Sequence, residues 1–227
     1  MKTMILAAGR GERMRPLTDT CPKPLLPVGG KPLIAWHLER LAAAGLRDIV
    51  INHAHLGKMI EETLGDGAQY GVRIQYSDEG TALETAGGIA NALPLLGNEP
   101  FLVINGDIFC DFDFHQVPRI AEHLCAQNAL AWLLLIPNPP HHPTGDFHLH
   151  YHAVRTTQGE RLTFSGIGLY QPALFAPIPR GQPAKLAPLL HGAIATEQVL
   201  GQRHDGLWVD VGTPERLAAL DETLRQH

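Results

Sequence analysis

The segment Leu6-Ala7-Ala8-Gly9-Arg10-Gly11-Glu12-Arg13-Met14-Arg15-Pro16-Leu17-Thr18 begins at the end of the first apolar run. It holds two glycines and three arginines, and Pro22-Lys23-Pro24 then delivers a lysine between two prolines. Gly9 and Gly11 let backbone amides approach the oxygens of a ligand closely. Arg13 offers a planar fork that matches phosphate oxygens, and Lys23 a compact point charge. The flanking prolines stiffen the backbone and reduce the entropy lost in positioning Lys23. These residue types in this order suit a nucleoside triphosphate. The plainer alternative is a tight turn with solvated cations, and for Arg15 a surface salt bridge is an equal expectation. A dinucleotide fingerprint would need a third glycine where Met14 stands, and a P-loop would need Gly-Lys-Ser/Thr; neither pattern is present.

Two aspartates add a second chemistry. Asn105-Gly106-Asp107 ends an apolar run, and open parallel sheets gather ligands at the carboxyl ends of their strands. Asp210 stands inside Trp208-Val209-Asp210-Val211, where an unpartnered carboxylate is costly. Either aspartate alone reads as a turn or cap residue. Asp107 and Asp210 meeting a triphosphate make a Mg²⁺ site, because this ion takes one or two carboxylates and completes its shell with phosphate and water. Histidine reaches 13 residues. His148, His150 and His152 alternate and would share one strand face. A solvated edge face is expected there rather than zinc, since no cysteine or carboxylate of suitable spacing completes the set. His53 and His55 are expected at the cleft rim. Trp36, Trp132 and Trp208 read as core, and Phe112 and Phe114 as packing below the Asp107 turn.

The elements that must position these residues alternate. Strands are expected at Met4–Ala7, Asp48–Asn52, Arg73–Ser77, Phe101–Asn105 and Ala131–Ile136. Helices are expected from Pro32 to Gly45 and over Leu56–Leu64, Thr85–Leu93 and His115–Gln127. This alternation predicts an α/β, Rossmann-like fold with a predominantly parallel mixed sheet and helices on both faces. From Pro137 the character changes. An insertion at about 137–170, with strands Phe147–Val154 and Leu162–Tyr170, is expected to cover one end of the sheet and form half of a cleft. Pro172–Pro188 receives no element. Leu207–Val211 returns to strand, and Thr213 and Pro214 give an N-cap and first-turn proline for a last helix through Leu224. No repeat or flexible linker divides the chain, so residues 1–227 read as a single domain.

Composition narrows the class. The 227 residues are 44% hydrophobic and 18% charged, ordinary for a globular domain with a full core. A net charge of -5 argues against a nucleic-acid partner. No apolar run is long enough to span a membrane, and no signal peptide is expected before the first strand. The three cysteines, Cys21, Cys110 and Cys125, are odd in number and lack metal-type spacing, which fits a reducing, cytoplasmic compartment.

The opening motif, the Asn105-Gly106-Asp107 turn and Val209-Asp210-Val211-Gly212-Thr213-Pro214 together resemble the sugar-1-phosphate nucleotidyltransferase family, in motif order and spacing along nearly the whole chain. Leu83-Glu84-Thr85-Ala86-Gly87-Gly88-Ile89 is similar to a segment of its short bacterial members that act on N-acetylmuramate 1-phosphate in cell-wall sugar recycling. Many relatives continue into a C-terminal β-helix; none is expected here, and a monomer or homodimer is expected in turn. The resemblance implies a substrate pair of UTP and a sugar 1-phosphate. It places Ala7, Ala8 and Gly9 under the nucleoside, and Gly11, Glu12 and Arg13 around the β and γ phosphates. It sets Lys23 between the α phosphate and the sugar phosphate. Asn105 and Asp107 would face ribose and metal, with Asp210 completing the metal site. Arg13, Lys23 and Asp107 would be the catalytic groups. Glu79 and Gly88 fall where relatives read the base. A glutamate accepts from uracil N3–H but cannot donate to a carbonyl, so base choice stays open there. Asp146 and Gly166 fall where relatives contact the sugar. Mannose 1-phosphate with GTP, or glucose 1-phosphate with UTP or dTTP, are the rival substrate pairs. A catalytically silent nucleotide-binding module would be expected to lack Lys23 or an aspartate.

Overall fold

Alternation of side chains across apolar strands dictates two buried sheet faces, and the computed structural model, which describes residues 1–226, has both. The strands are β1 (Lys2–Leu6), β2 (Pro27–Val28), β3 (Lys31–Pro32), β4 (Asp48–His53), β5 (Arg73–Asp78), β6 (Phe101–Asn105) and β7 (Ile108–Cys110), followed by β8 (Ala131–Ile136), β9 (Phe147–His150), β10 (Ala153–Arg155), β11 (Glu160–Tyr170), β12 (Val199–Arg203) and β13 (Trp208–Asp210). The helices are α1 (Leu17–Thr20), α2 (Leu33–Ala43), α3 (Gly57–Leu64), α4 (Glu84–Leu96), α5 (Val117–Ala126), α6 (Leu186–Ala195) and α7 (Pro214–Arg225).

Nine strands form one mixed sheet in the order β5-β4-β1-β6-β11-β8-β12-β10-β9. β5, β4, β1 and β6 are mutually parallel, β12 runs parallel to β8, and β11 and β10 run against their neighbours. Ile5, Ile49, Ile51 and Ile104 point to one face, where they pack with Leu38 of α2, Ile60 of α3 and Leu124 of α5. Met4, Val50, Val103 and Leu133 point to the other, against Ile89 of α4 and Leu190 of α6. The α/β class and helix-covered faces agree with the expectation.

A third, smaller core holds the site together. Met14, Leu26, Val28, Leu33, Phe109, Val211 and Leu220 pack as one cluster. They come from the opening loop and β2, the start of α2, the β7–β13 ribbon and α7. Thr213 caps α7 by accepting from the Arg216 amide, and Asp221 accepts from the Gly29 amide at 2.7 Å.

Two expectations are corrected, and two stretches that received no element gain one. β11 belongs only in part to an insertion: its Glu160–Leu162 end pairs with β9, but Ile167–Tyr170 pairs with β6 and Gly168–Tyr170 with β8 in the middle of the sheet, so the covering segment narrows to about 137–162. Phe147–Val154 is not one strand. Tyr151 turns with φ 54°, and β9 folds back on β10 with His150 opposite Ala153. His152 therefore lies in the turn, away from the strand that carries His148 and His150. Pro172–Pro188 holds a short 3₁₀ turn (Pro172–Phe175) and the start of α6, whose first turn accepts Pro188 because no amide donor is needed there. β12 was missed because Val199-Leu200-Gly201-Gln202-Arg203 has too little apolar alternation, and its pairing with β8 supplies the order. Among the described residues, no helix is long and apolar enough to cross a membrane.

Leu220 is buried and anchors α7 to the opening loop. Leu220→Ala is expected to cost about 2–4 kcal/mol by the burial and cavity terms. Urea denaturation checks this; an unchanged midpoint would mean that α7 does not hold the loop.

Candidate active site

A cavity of about 540 Å³ opens at the carboxyl ends of β1, β4 and β6. Ala7, Ala8, Gly9, Gly11, Glu12 and Arg13 line one side of it. The loop is held rather than loose. Gly11 sits in the left-handed region at φ 66°, and its carbonyl accepts from the Thr18 hydroxyl at 2.8 Å and the Met14 amide at 2.9 Å. Met14, where a dinucleotide loop would need glycine, is a fully buried anchor in the third core. Arg13 is exposed on the cavity wall, whereas Arg15 pairs with Asp19 at 3.0 Å.

Lys23 is buried, and its Nζ donates to Asp107 Oδ2 at 2.7 Å. A 3₁₀ turn over Lys23–Leu25 fixes its backbone, with the Leu25 amide donating to the Pro22 carbonyl at 2.8 Å. Asp107 reaches this lysine because the preceding turn is pressed against β1. The Gly106 amide donates to the Leu6 carbonyl at 2.8 Å, and a Cβ on Gly106 would lie 2.6 Å from that oxygen. The Val211 amide donates to the Asp107 carbonyl at 3.0 Å, which brings the Asp210 strand alongside. Asp210 does not line the cavity directly; its neighbour Gly212 does. The Asp210 carboxylate accepts from Arg216 Nη1 at 2.9 Å, with His141 Nε2 at 3.6 Å. Beneath the turn, His37 Nε2 donates to the Ile108 carbonyl at 2.8 Å. Burial pushes the pKa of His37 down to about 4, so it is neutral at pH 7.

The Glu79 side of the cavity rests on a residue that sequence reasoning missed. Asn52 and Asn105 lie in register on either side of Leu6, at the ends of β4 and β6. Asn52 Oδ1 accepts from the Ala7 amide at 2.9 Å, and its Nδ2 donates to Glu79 Oε1 at 2.6 Å. Glu79 Oε2 accepts from the Leu83 amide at 2.8 Å. Glu79 lines the cavity, but both its oxygens already serve this network. Gly88 stands behind it: a Cβ there would come within 2.4 Å of Glu79 Oε1. The signal for Asn52 was a matching asparagine at two strand ends, Ile51-Asn52 and Ile104-Asn105.

Asp146 lines a second cavity of about 340 Å³ that shares Glu84, Thr85 and Asn105 with the first. Its Oδ2 accepts from the Phe164 amide at 2.8 Å, and its Oδ1 lies 2.9 Å from His142 Nε2. Gly166 lines neither cavity. Its φ of +84° and a Cβ position 2.6 Å from Asn105 Nδ2 make it the space into which Asn105 fits. His53 is buried against Glu61 at 2.6 Å instead of standing at the rim. Phe112 and Phe114 pack edge to face below the turn, as expected.

Among the described residues, Cys110, Asp111 and His204 form a three-member cluster of metal-type side chains, which includes neither Asp107 nor Asp210. His204 Nε2 pairs with Asp111 Oδ1 at 2.7 Å, and burial pushes the Cys110 thiol up to about 11. A protonated thiol beside a satisfied His–Asp pair is a structural group. No serine, cysteine or histidine is among the described residues that line the first cavity. Its chemistry is that of amide donors, cations and carboxylates, which suits the positioning of phosphates.

Glu79→Gln tests the network. The amide keeps one acceptor and points its NH₂ at a donor, so the substitution is expected to cost about 1–2 kcal/mol in urea denaturation. Unchanged stability would show that Glu79 is free of the scaffold.

Comparison with known proteins agrees with this geometry. The family model described as Nucleotidyl transferase matches residues 2–145. The chain is 59% identical to N-acetylmuramate alpha-1-phosphate uridylyltransferase of Neisseria meningitidis serogroup B, over 96% of this chain and 95% of that protein. It is 33% identical to mannose-1-phosphate guanyltransferase of Aspergillus fumigatus over 95% of its own length, and it spans 62% of that longer relative. A Bacillus anthracis protein solved in complex with a sucrose superposes with a TM-score of 0.85 over 100% of this chain and 96% of that one, at 24% identity. With a motif loop, two strand-end asparagines and a lysine–aspartate pair in one cleft, and with these matches, the chain belongs to the nucleotidyl transferase family.

Proposed function

We propose that this chain transfers a uridylyl group from UTP to N-acetylmuramate 1-phosphate, giving UDP-N-acetylmuramate and pyrophosphate, in the cytoplasm and in service of cell-wall sugar recycling. The observation that carries this reading is the 59% identity, along nearly the whole of both chains, to a relative of that name. The guanylyl or mannose reading rests on relatives of lower identity that the chain only partly spans.

The reaction needs little covalent help. A phosphate monoester is ionised at neutral pH and is itself the nucleophile. The barrier lies in bringing two polyanions together and in stabilising charge as the α phosphorus is attacked in line. Ala7, Ala8 and Gly9 lie under the nucleoside, and the backbone of Gly11, Glu12 and Arg13 receives phosphate oxygens. Arg13 grips the leaving pyrophosphate. Lys23, rigid and buried, places its ammonium between the α phosphate and the incoming sugar phosphate. Asn105 orients the ribose from the end of β6. Asp107 and Asp210 present hard oxygen donors from a shared ribbon, a set that fits Mg²⁺ together with phosphate. When bound, the ion neutralises phosphate charge and so lowers the barrier to attack. Asp107 now holds Lys23 and Asp210 holds Arg216, so each carboxylate has a cation in place before any ligand arrives.

A substrate panel tests the reading. Pyrophosphate release is expected with UTP and N-acetylmuramate 1-phosphate, and lost when the divalent metal is chelated. Asp107→Ala and Asp210→Ala are each expected to lower kcat by about 100-fold or more. Turnover of mannose 1-phosphate with GTP in place of the proposed pair would overturn the substrate assignment. Full activity in both variants would overturn the metal assignment.

A further inference from the structure

The second cavity adjoins the first and is lined on its apolar side by Phe147, Phe164 and Leu190. Of its two acidic members, Asp146 is engaged by the Phe164 amide and His142, and Glu84 opens α4 on the side shared with the first cavity. The one cation among its described lining residues is Lys185, which is exposed. Among the described residues no carboxylate pairs with the Lys185 ammonium, unlike Lys23 and Lys31.

Lys185 is also well placed. The preceding residue is clamped onto the first turn of α4. The Ala184 amide donates to the Leu83 carbonyl at 3.0 Å, and the Ala184 carbonyl accepts from the Ala86 and Gly87 amides at 2.9 and 3.0 Å. Glu84 and Thr85 of the same turn line both cavities. The backbone that carries Lys185 is thus fixed relative to the reaction centre. Lys185 itself does not line the first cavity, where the phosphates belong.

We propose that Lys185 binds the carboxylate of the lactyl ether, the substituent that distinguishes N-acetylmuramate from N-acetylglucosamine. This rests on the substrate reading above. An unpartnered ammonium beside apolar side chains matches a substituent that joins a carboxylate to a methyl group. A neutral sugar would itself offer this ammonium no anionic partner. Lys185 is then a specificity-determining residue, remote from the bond that forms.

The test is steady-state kinetics with UTP and two acceptors, N-acetylmuramate 1-phosphate and N-acetylglucosamine 1-phosphate, on the wild type, Lys185→Ala, Lys185→Arg and Lys185→Glu. The ratio of kcat/KM for the first acceptor over the second is expected to fall roughly 10- to 100-fold in Lys185→Ala, the size of one charge-assisted hydrogen bond. Lys185→Arg is expected to keep most of the ratio, and Lys185→Glu to lower it further. Melting temperatures near that of the wild type would show that the variants are folded. An unchanged ratio in the alanine variant overturns the proposal. Equal losses on both acceptors overturn it as well, because they would make Lys185 a phosphate ligand. A wild type that does not use N-acetylmuramate 1-phosphate overturns the substrate reading itself, a separate result.

Discussion

A buried ammonium needs a partner, and the partner of Lys23 is Asp107 at 2.7 Å. Losing Asp107 would strand the buried ammonium, whereas the Asp107 carboxylate, 40% exposed, keeps water on its open side. Much of the surrounding structure serves to bring these two groups together across 84 residues of sequence. Proline on both sides and a 3₁₀ turn fix the lysine. Gly106, pressed onto the Leu6 carbonyl, fixes the aspartate. In the proposed reaction the phosphates take over the ammonium from Asp107. The carboxylate is thereby released for a divalent cation, so one ion pair prepares both halves of the site.

The third core explains why the chain's two ends meet at this cleft. Met14 belongs to the opening loop and Val211 and Leu220 to the last ribbon and helix, yet they share one cluster. Gly212 reaches the cavity wall, with Asp210 two residues before it, only because that cluster is packed. Arg216, in the first turn of α7, then links Asp210 to His141 in the segment that follows β8.

Much of the fold could be read from sequence where one strand's residues decide its own burial. β1, β4, β6 and β8 are apolar on both faces, and that pattern needs no partner to be recognised. Residues at the ends of those strands, Ala7, Asn105 and Asp107, were legible for the same reason. What escaped depends on contacts distant in sequence. β12 is ordered by β8. The hairpin at Tyr151 depends on a left-handed residue without a glycine signal. Asn52 acquires its role only when Glu79, 27 residues on, folds over it. Glu79 was expected to read the base, yet both of its oxygens are engaged by the scaffold. Lys185 sat in a proline-rich stretch with no periodicity, and only its clamp on α4 brings it to a cavity.

The account turns on the exchange of partners at Lys23. A crystal structure with a non-hydrolysable UTP analogue and a divalent cation tests it most directly. The expected result is Lys23 Nζ within about 3 Å of an α-phosphate oxygen, in place of its bond to Asp107. A bound nucleotide with the Lys23–Asp107 pair unbroken, and no phosphate oxygen near the ammonium, would contradict it.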